Sequence, residues 1–259
     1  MRKPTVSVFT VVPQNPKERE DTVIEGIRSA LRFADEVITF HCRPKDGTLE
    51  EIRAIGDSRI KIIDGGEWDL DRFVVGRKKN AALQHCTMDW AILMDADEVF
   101  LLSDKEQFFE ILGTVPPEVK AFRVHYLHFY RDPWHVKTSF YQWKPCIMQN
   151  HIGNFIGGYK IMSNVELDCH ARPLNSNDLS RPMPANVFTV YHYGWIKSSR
   201  LVMGKKRNQL EATYAEDGNG QTNPSRFRWN MANTAIFEGN HPPEMQERIK
   251  AFREEAANV

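Results

Sequence analysis

Apolar positions in the first hundred residues fall in short runs separated by amphipathic stretches. Val6 to Val12 (VSVFTVV) is unbroken, rich in β-branched side chains and stopped by Pro13, which predicts a buried strand. Asp21 to Phe33 places Val23, Ile24, Ile27, Ala30 and Leu31 at helical spacing behind Asp21 or Thr22 as a cap. Glu36 to Phe40 (EVITF) predicts a second strand, and the turn Asp46-Gly47-Thr48 starts a helix through Ile55. Ile60 to Ile63 predicts a third strand, Gly76 to Cys86 a helix, and Trp90 to Met94 (WAILM) a fourth strand. Strands alternating with helices imply an α/β class with a mostly parallel central sheet covered on its faces by helices.

Beyond residue 100 the pattern changes. Gln107 to Leu112 reads as a short helix closed by Gly113 and Pro116-Pro117. Ala121 to Tyr130, Phe140 to Met148 and Phe188 to Tyr193 read as aromatic-rich strands, with a loop-rich stretch over 150–186. Ser198 to Tyr214 reads as a helix carrying Lys205-Lys206-Arg207, and Glu216 to Ser225 as a polar loop. Glu244 to Ala257 reads as a charged closing helix. With no repeat and no linker, 1–259 reads as one domain in two halves, 1–100 and 101–259.

Composition narrows the function classes. The 259 residues hold 34 Lys+Arg and 34 Asp+Glu, so the formal charge is zero, which argues against a nucleic-acid-binding protein. At 41% hydrophobic and 26% charged, the chain has the make-up of a folded domain. Its four cysteines, Cys42, Cys86, Cys146 and Cys169, form no CxxC pair, which points away from a disulfide framework and toward a reducing, cytoplasmic setting. No apolar run reaches the roughly 18 residues of a transmembrane helix. No signal-peptide pattern follows Met1, and peripheral membrane contact is left open.

The chemistry concentrates at Met94-Asp95-Ala96-Asp97-Glu98, directly after the strand WAILM. Ligands of open α/β sheets bind beyond the carboxyl ends of the strands. Two carboxylates one residue apart at such an end can converge on a divalent cation, Mn²⁺ or Mg²⁺, which in turn holds a diphosphate. Taken alone, the same tripeptide also suits a solvated acidic loop.

Five elements in order over about 90 residues make the first half resemble the nucleotide-sugar half of family 2 glycosyltransferases of the GT-A fold. These are the strand VSVFTVVP, the segment Phe33-Ala34-Asp35-Glu36-Val37-Ile38, the turn Asp46-Gly47-Thr48, the helix start Lys79-Asn80-Ala81-Ala82, and AILMDADE. The resemblance implies a GT-A-type, Rossmann-like sheet with a mixed acceptor-side half. It implies a hexosyltransferase-type enzyme that moves sugar from a nucleotide-diphosphate sugar to a glycan or other hydroxyl acceptor. Asp97 would hold the cation, Asp95 would act through metal or ribose, and Ala96 would lie between them. Val12, Pro13 and Gln14 would line the base pocket, and Asp46, Lys79 and Asn80 would complete the donor site. Arg77 and Lys78 would either add charge near the phosphates or belong to a solvated helix face. At the end of the second strand the family has an Asp that contacts the base. Here His41 stands, either bonding or stacking on the base or closing the strand structurally.

An inverting transferase needs a carboxylate to deprotonate the acceptor hydroxyl. Glu166 and Asp168 alternate along an extended segment and so share a direction, with Asp168 ahead. His192, in Tyr191-His192-Tyr193-Gly194-Trp195, matches a late histidine that related GT-A enzymes place on the metal; the other reading is a packed strand residue, and His170 is a weaker substitute. Trp134 and Trp195 stand out among the second-half aromatics as sugar platforms, against ordinary core packing. Two other classes compete. A nucleotidyltransferase would want a glycine-rich loop where Pro13-Gln14-Asn15-Pro16 stands, and a degenerate GT-A domain would act as a glycan- or nucleotide-binding module.

Overall fold

The computed structural model describes residues 2–69, 74–150, 154–156, 160–162, 167–168, 180–199, 201–206 and 229–257. Its first half is built on β1 (Val6–Val12), β2 (Glu36–His41), β3 (Ile60–Asp64) and β4 (Trp90–Met94), hydrogen-bonded in parallel in the order β3-β2-β1-β4. Helices α1 (Val23–Leu31), α2 (Thr48–Ala54) and α3 (Val74–Leu83) connect them. β2 and β4 are buried throughout, as near-continuous apolar runs require when both faces of a parallel sheet are covered.

At the amino ends of these strands, the buried Glu36 carboxylate ties four segments together. It accepts from Ser7 Oγ at 2.6 Å and from Thr87 N and Oγ1 at 2.6 and 3.0 Å, and it pairs with Lys61. A buried carboxylate is tolerable only with such partners. The opposite, carboxyl edge is the one left for chemistry.

β5 (Glu98–Leu102) begins directly after the Asp95–Asp97 turn, which the pattern of apolar positions did not separate from β4. It leaves the parallel array and pairs antiparallel with the late strand β13 (Phe188–Trp195), setting His192 opposite Glu98. Before β13 come α4 (Lys105–Thr114), capped by Asp104 through Gln107 N at 2.9 Å, and β6 (Ala121–Tyr130), β7 (Asp132–Lys137) and β8 (Trp143–Gln149). β8 pairs antiparallel with β4 and with β6, so one sheet runs from β3 through β4 into the second half. β13 lies parallel along the other side of β6, next to β12 (Ser180–Pro182). β9 (Asn154–Ile156), β10 (Lys160–Met162) and β11 (Leu167–Asp168) form a separate antiparallel sheet. β14 (Thr234–Ile236) closes the edge on β7, and α5 (Gln246–Ala257) follows a 3₁₀ turn at Pro243–Met245.

The helix expected from Ser198 to Tyr214 is seen over 201–206; Ser198 and Ser199 are bends ahead of it, and residues 200 and 207–214 lie outside the described residues. The strand expected from Phe140 starts at Trp143, because the chain first leaves a turn after β7.

The main core packs Phe33, Phe100, Phe108 and Phe188 together, with the Phe33 and Phe188 rings 5.8 Å apart edge to face. A second cluster, Val99, Phe129, Tyr191, Tyr193, Ile196, Met245 and Ile249, holds α5 against β13 and β6. No helix among the described residues is long and apolar enough to cross a membrane. Cys42, Cys86 and Cys146 are free and buried, and Cys169 lies outside the described residues.

Candidate functional site

Parallel register brings the carboxyl ends of the first strands onto one edge. Val12 pairs with His41, His41 with Asp64, and Thr10 with Met94. Val12 and Pro13, His41, and the Asp95–Asp97 turn therefore share this edge. Gln14 Nε2 donates to Glu67 Oε2 at 2.7 Å. His41 is buried, which lowers its pKa, and its Nδ1 accepts from Arg43 N at 3.3 Å. Asp46 sits at the start of α2, where it accepts from Thr48 Oγ1 at 2.7 Å and from Lys17 N at 2.7 Å; these bonds fix two loops.

The two aspartates of the turn face different partners. Asp95 is held by Lys79 Nζ at 2.7 Å on one oxygen and by Lys144 Nζ at 2.9 Å on the other. Burial alone would raise its pKa, but Lys144 and Lys79 outweigh that and hold it well below the ordinary carboxylate range. Lys144, 3% exposed on β8, also reaches Glu98 Oε1 at 3.2 Å, while Glu98 Oε2 accepts from Asp95 N at 2.9 Å. Of the three basic residues on α3, Lys79 alone has an ion pair with the turn. Lys78 donates to Gly65 O at 2.6 Å and Arg77 lies 3.3 Å from Asp69. Asn80 follows Lys79 on α3, and Ala96 is buried between the aspartates.

Asp97 turns the other way, toward β13. Its Oδ2 lies 3.6 Å from His192 Nε2 and 2.6 Å from Lys206 Nζ. Burial would raise its pKa, but Lys206 and His192 hold it well below the usual value. The orientation of the His192 ring is set by a chain of contacts behind it. Tyr141 O lies 2.7 Å from His128 Nε2, and a carbonyl can only accept, so His128 carries its proton on Nε2. Burial lowers the His128 pKa to about 2, which keeps the ring neutral and its Nδ1 an acceptor. His192 Nδ1, 3.1 Å away, then donates, which leaves Nε2 as the ring nitrogen that faces Asp97.

At 3.6 Å that pair is too long for a hydrogen bond. It is the arrangement of an imidazole and a carboxylate oriented toward a shared cation, with an outer partner fixing the tautomer. Gly194 makes room for it. A Cβ there would run into Asp97 Oδ2 and lie 2.7 Å from His192 Nε2. The Lys206 ammonium on Asp97 Oδ2 is the chain's own stand-in for such a cation. Carboxylate and imidazole thus fit Mn²⁺ or Mg²⁺, with the nitrogen ligand favouring Mn²⁺. No group of three or more His, Cys, Asp or Glu side chains that could hold a metal ion is found among the described residues.

Glu166 and His170 lie outside the described residues, and of Asp168 only its strand, paired through Lys160, is described. Trp195 packs against Phe140 and Tyr130, with ring centres 5.4 and 6.2 Å away, and Tyr130 meets Trp229 at 5.0 Å. Trp134, on β7, has its backbone tied to Asp132. Sequence reasoning did not single out Lys144 or His128, and it read Asp21 as a helix cap rather than a site residue. Only the alternation that buries Lys144 and His128 on strands carried any signal of the first two.

Neither a scan against family models nor a search of curated proteins finds a match. Solved structures do align. One is residues 1–349 of TarS from S. aureus with UDP-GlcNAc, at 14% identity and TM-score 0.48, covering 81% of this chain and 66% of that one. Another is the mannosyltransferase PcManGT from Pyrobaculum calidifontis with GDP-Man and Mn²⁺, at 15% identity and TM-score 0.45, covering 97% and 69%. A third is glucosyl-3-phosphoglycerate synthase from Mycobacterium tuberculosis with Mn²⁺, UDP and phosphoglyceric acid, at 16% identity and TM-score 0.35, covering 48% and 43%.

Proposed function

We propose that this chain is a glycosyltransferase that moves a sugar from a nucleotide-diphosphate donor to a hydroxyl acceptor, with inversion, on a GT-A-type fold read as one domain. The observation that carries this reading is the Asp97–His192 pair, with imidazole Nε2 3.6 Å from a carboxylate oxygen beside the carboxyl edge of a parallel sheet. A divalent cation held by Asp97 and His192 would act as a Lewis acid for the leaving diphosphate. Around it, Val12, Pro13, Gln14 and His41 line the edge where the nucleoside is placed. Lys79 and Lys144 keep Asp95 ionised next to the diphosphate position. Asp168 takes the acceptor proton in this reading, with Glu166 as its alternate.

The test uses the purified chain with Mn²⁺ and a panel of nucleotide sugars, starting with UDP-GlcNAc and GDP-Man, read by thermal shift and by slow donor hydrolysis. At a hundred times Kd a ligand stabilises by about 2.7 kcal/mol, so binding is visible as a shift in Tm. Asp97→Ala abolishes the Mn²⁺-dependent shift and lowers turnover about a hundredfold or more. No response to any nucleotide or metal rejects the proposal. Asp168→Asn keeps donor binding and stops transfer, and normal transfer would remove Asp168 as the base.

A further inference from the structure

Asp97 already holds a cation that the chain supplies. Lys206, at the end of the helical segment 201–206, has a side chain only 4% exposed, and its Nζ donates to Asp97 Oδ2 at 2.6 Å and to Asp21 Oδ1 at 3.0 Å. Asp21 is fully buried just before α1, and Lys206 is the strongest of three cationic groups around it. Arg19 Nε lies 2.9 Å from its Oδ2, and Lys197 Nζ lies 3.3 Å from its Oδ1. Lys197 is anchored in turn by Glu20 O at 3.0 Å. Lys206 therefore bridges two unlike carboxylates. Among the described residues Asp21 also has Arg19 and Lys197 beside it, whereas Asp97 has the His192 ring.

The oxygen that Lys206 occupies is the same Oδ2 that faces His192 Nε2. An ammonium and a metal ion cannot share that oxygen at contact distance, because two cations this close in a poorly solvated site repel strongly. A monovalent ion brings no more charge than the ammonium and none of its directed hydrogen bonds. A divalent ion brings twice the charge and accepts the imidazole lone pair as a ligand.

We infer that Lys206 is the residue that sets cation affinity and selectivity at Asp97, as a built-in competitor that a divalent ion displaces and that Asp21 then retains. This rests on the reading of Asp97 and His192 as a divalent-cation site. Displacement leaves the Lys206 ammonium paired with Asp21, away from the oxygen the metal takes.

The experiment measures Mn²⁺ affinity directly, by electron paramagnetic resonance of free Mn²⁺ or by calorimetry, on the full chain without donor or acceptor. Lys206→Met keeps the length of the side chain and removes the charge, and it binds Mn²⁺ about tenfold more tightly or better. Asp21→Asn has the opposite sign. Among the described residues Lys206 then keeps Asp97 as its carboxylate partner, and Mn²⁺ binding weakens several-fold. Sodium chloride competes with Mn²⁺ in Lys206→Met more than in the wild type at matched ionic strength. Circular dichroism melts confirm that each variant is folded, and Lys206→Gln replaces Lys206→Met if the latter is not. Equal or weaker Mn²⁺ binding by folded Lys206→Met and Lys206→Gln overturns the role of Lys206 and leaves the metal site standing. Absence of Mn²⁺ binding in the wild type and in both Lys206 variants overturns the metal site, and the inference with it. Binding that survives His192→Ala unchanged in the Lys206→Met background does the same.

Discussion

At the scale of single residues, the site depends on small allowances of space and on fixed protons. Gly194 is an example. Any side chain there would push into the gap between Asp97 and His192. Gly194→Ala is therefore expected to leave the fold largely intact and to weaken Mn²⁺ binding by about tenfold or more, because ligand geometry rather than burial is disturbed. Calorimetry beside a thermal melt separates the two effects, and unchanged affinity would show that the pair does not hold the ion. His128 makes a prediction about pH. Its folded pKa, about 2, lies below the unfolded value near 6.5, so the unfolded chain binds the extra proton between those limits. The stability this histidine contributes is complete above pH 6.5 and is lost as the pH falls below it, at about 1.4 kcal/mol per pH unit. Urea unfolding at pH 7, 6 and 5 measures that slope. His128→Asn offers Tyr141 O a donor and His192 Nδ1 an acceptor, so it removes the slope while keeping Mn²⁺ binding, whereas His128→Leu loses both.

At the scale of elements, two junctions decide where the chemistry falls. The first is the start of α2. Asp46 was expected in the donor site from the Asp46-Gly47-Thr48 turn, and its carboxylate bonds Thr48 and Lys17. Asp46→Ala is expected to cost about 1 kcal/mol of stability through the lost turn bonds. If it also weakens donor binding in the presence of Mn²⁺, Asp46 serves both purposes. The second junction is the contact of α1 with β5. A Cβ on Gly26 would lie 2.6 Å from Glu98 O and 3.2 Å from Met94 Sδ, so α1 approaches the strand following the aspartates closer than any side chain permits. Gly26→Ala is expected to destabilise by about 1–3 kcal/mol, read by urea unfolding, since backbone must move to admit it. This packing also carries Asp21, one turn earlier, to Lys206 and hence to Asp97.

At the scale of the whole molecule, a formal charge of zero conceals a dense local arrangement. Asp21, Asp95, Asp97 and Glu98 meet Arg19, Lys79, Lys144, Lys197 and Lys206 within one buried region. Burial acts on both sides of these pairs. It lowers the Lys197 pKa to about 7, while Asp21 and Asp97 overcome burial and hold Lys206 above the ordinary lysine value. One sheet brings the partners together, since β13 returns from residue 188 to lie against β5, and the loop after it delivers Lys197 and then Lys206.

The sequence by itself determined the local pattern. The order of strands and helices through Met94, the buried character of β1, the helix starts at Asp21–Thr22 and Asp46–Thr48, and Asp95–Asp97 at a strand end all follow from periodicity and turn chemistry within a few residues. Those signals are carried by neighbours along the chain, and the structure reproduces them. The tertiary structure alone decided which charges meet. Asp95 and Asp97 are one residue apart from each other, yet one faces Lys144, 49 positions away, and the other Lys206, 109 positions away. No spacing rule links such residues. Strand order, the antiparallel return of β13 and the tautomer imposed through Tyr141 and His128 set their distances, and those are properties of the packed fold rather than of any stretch of sequence.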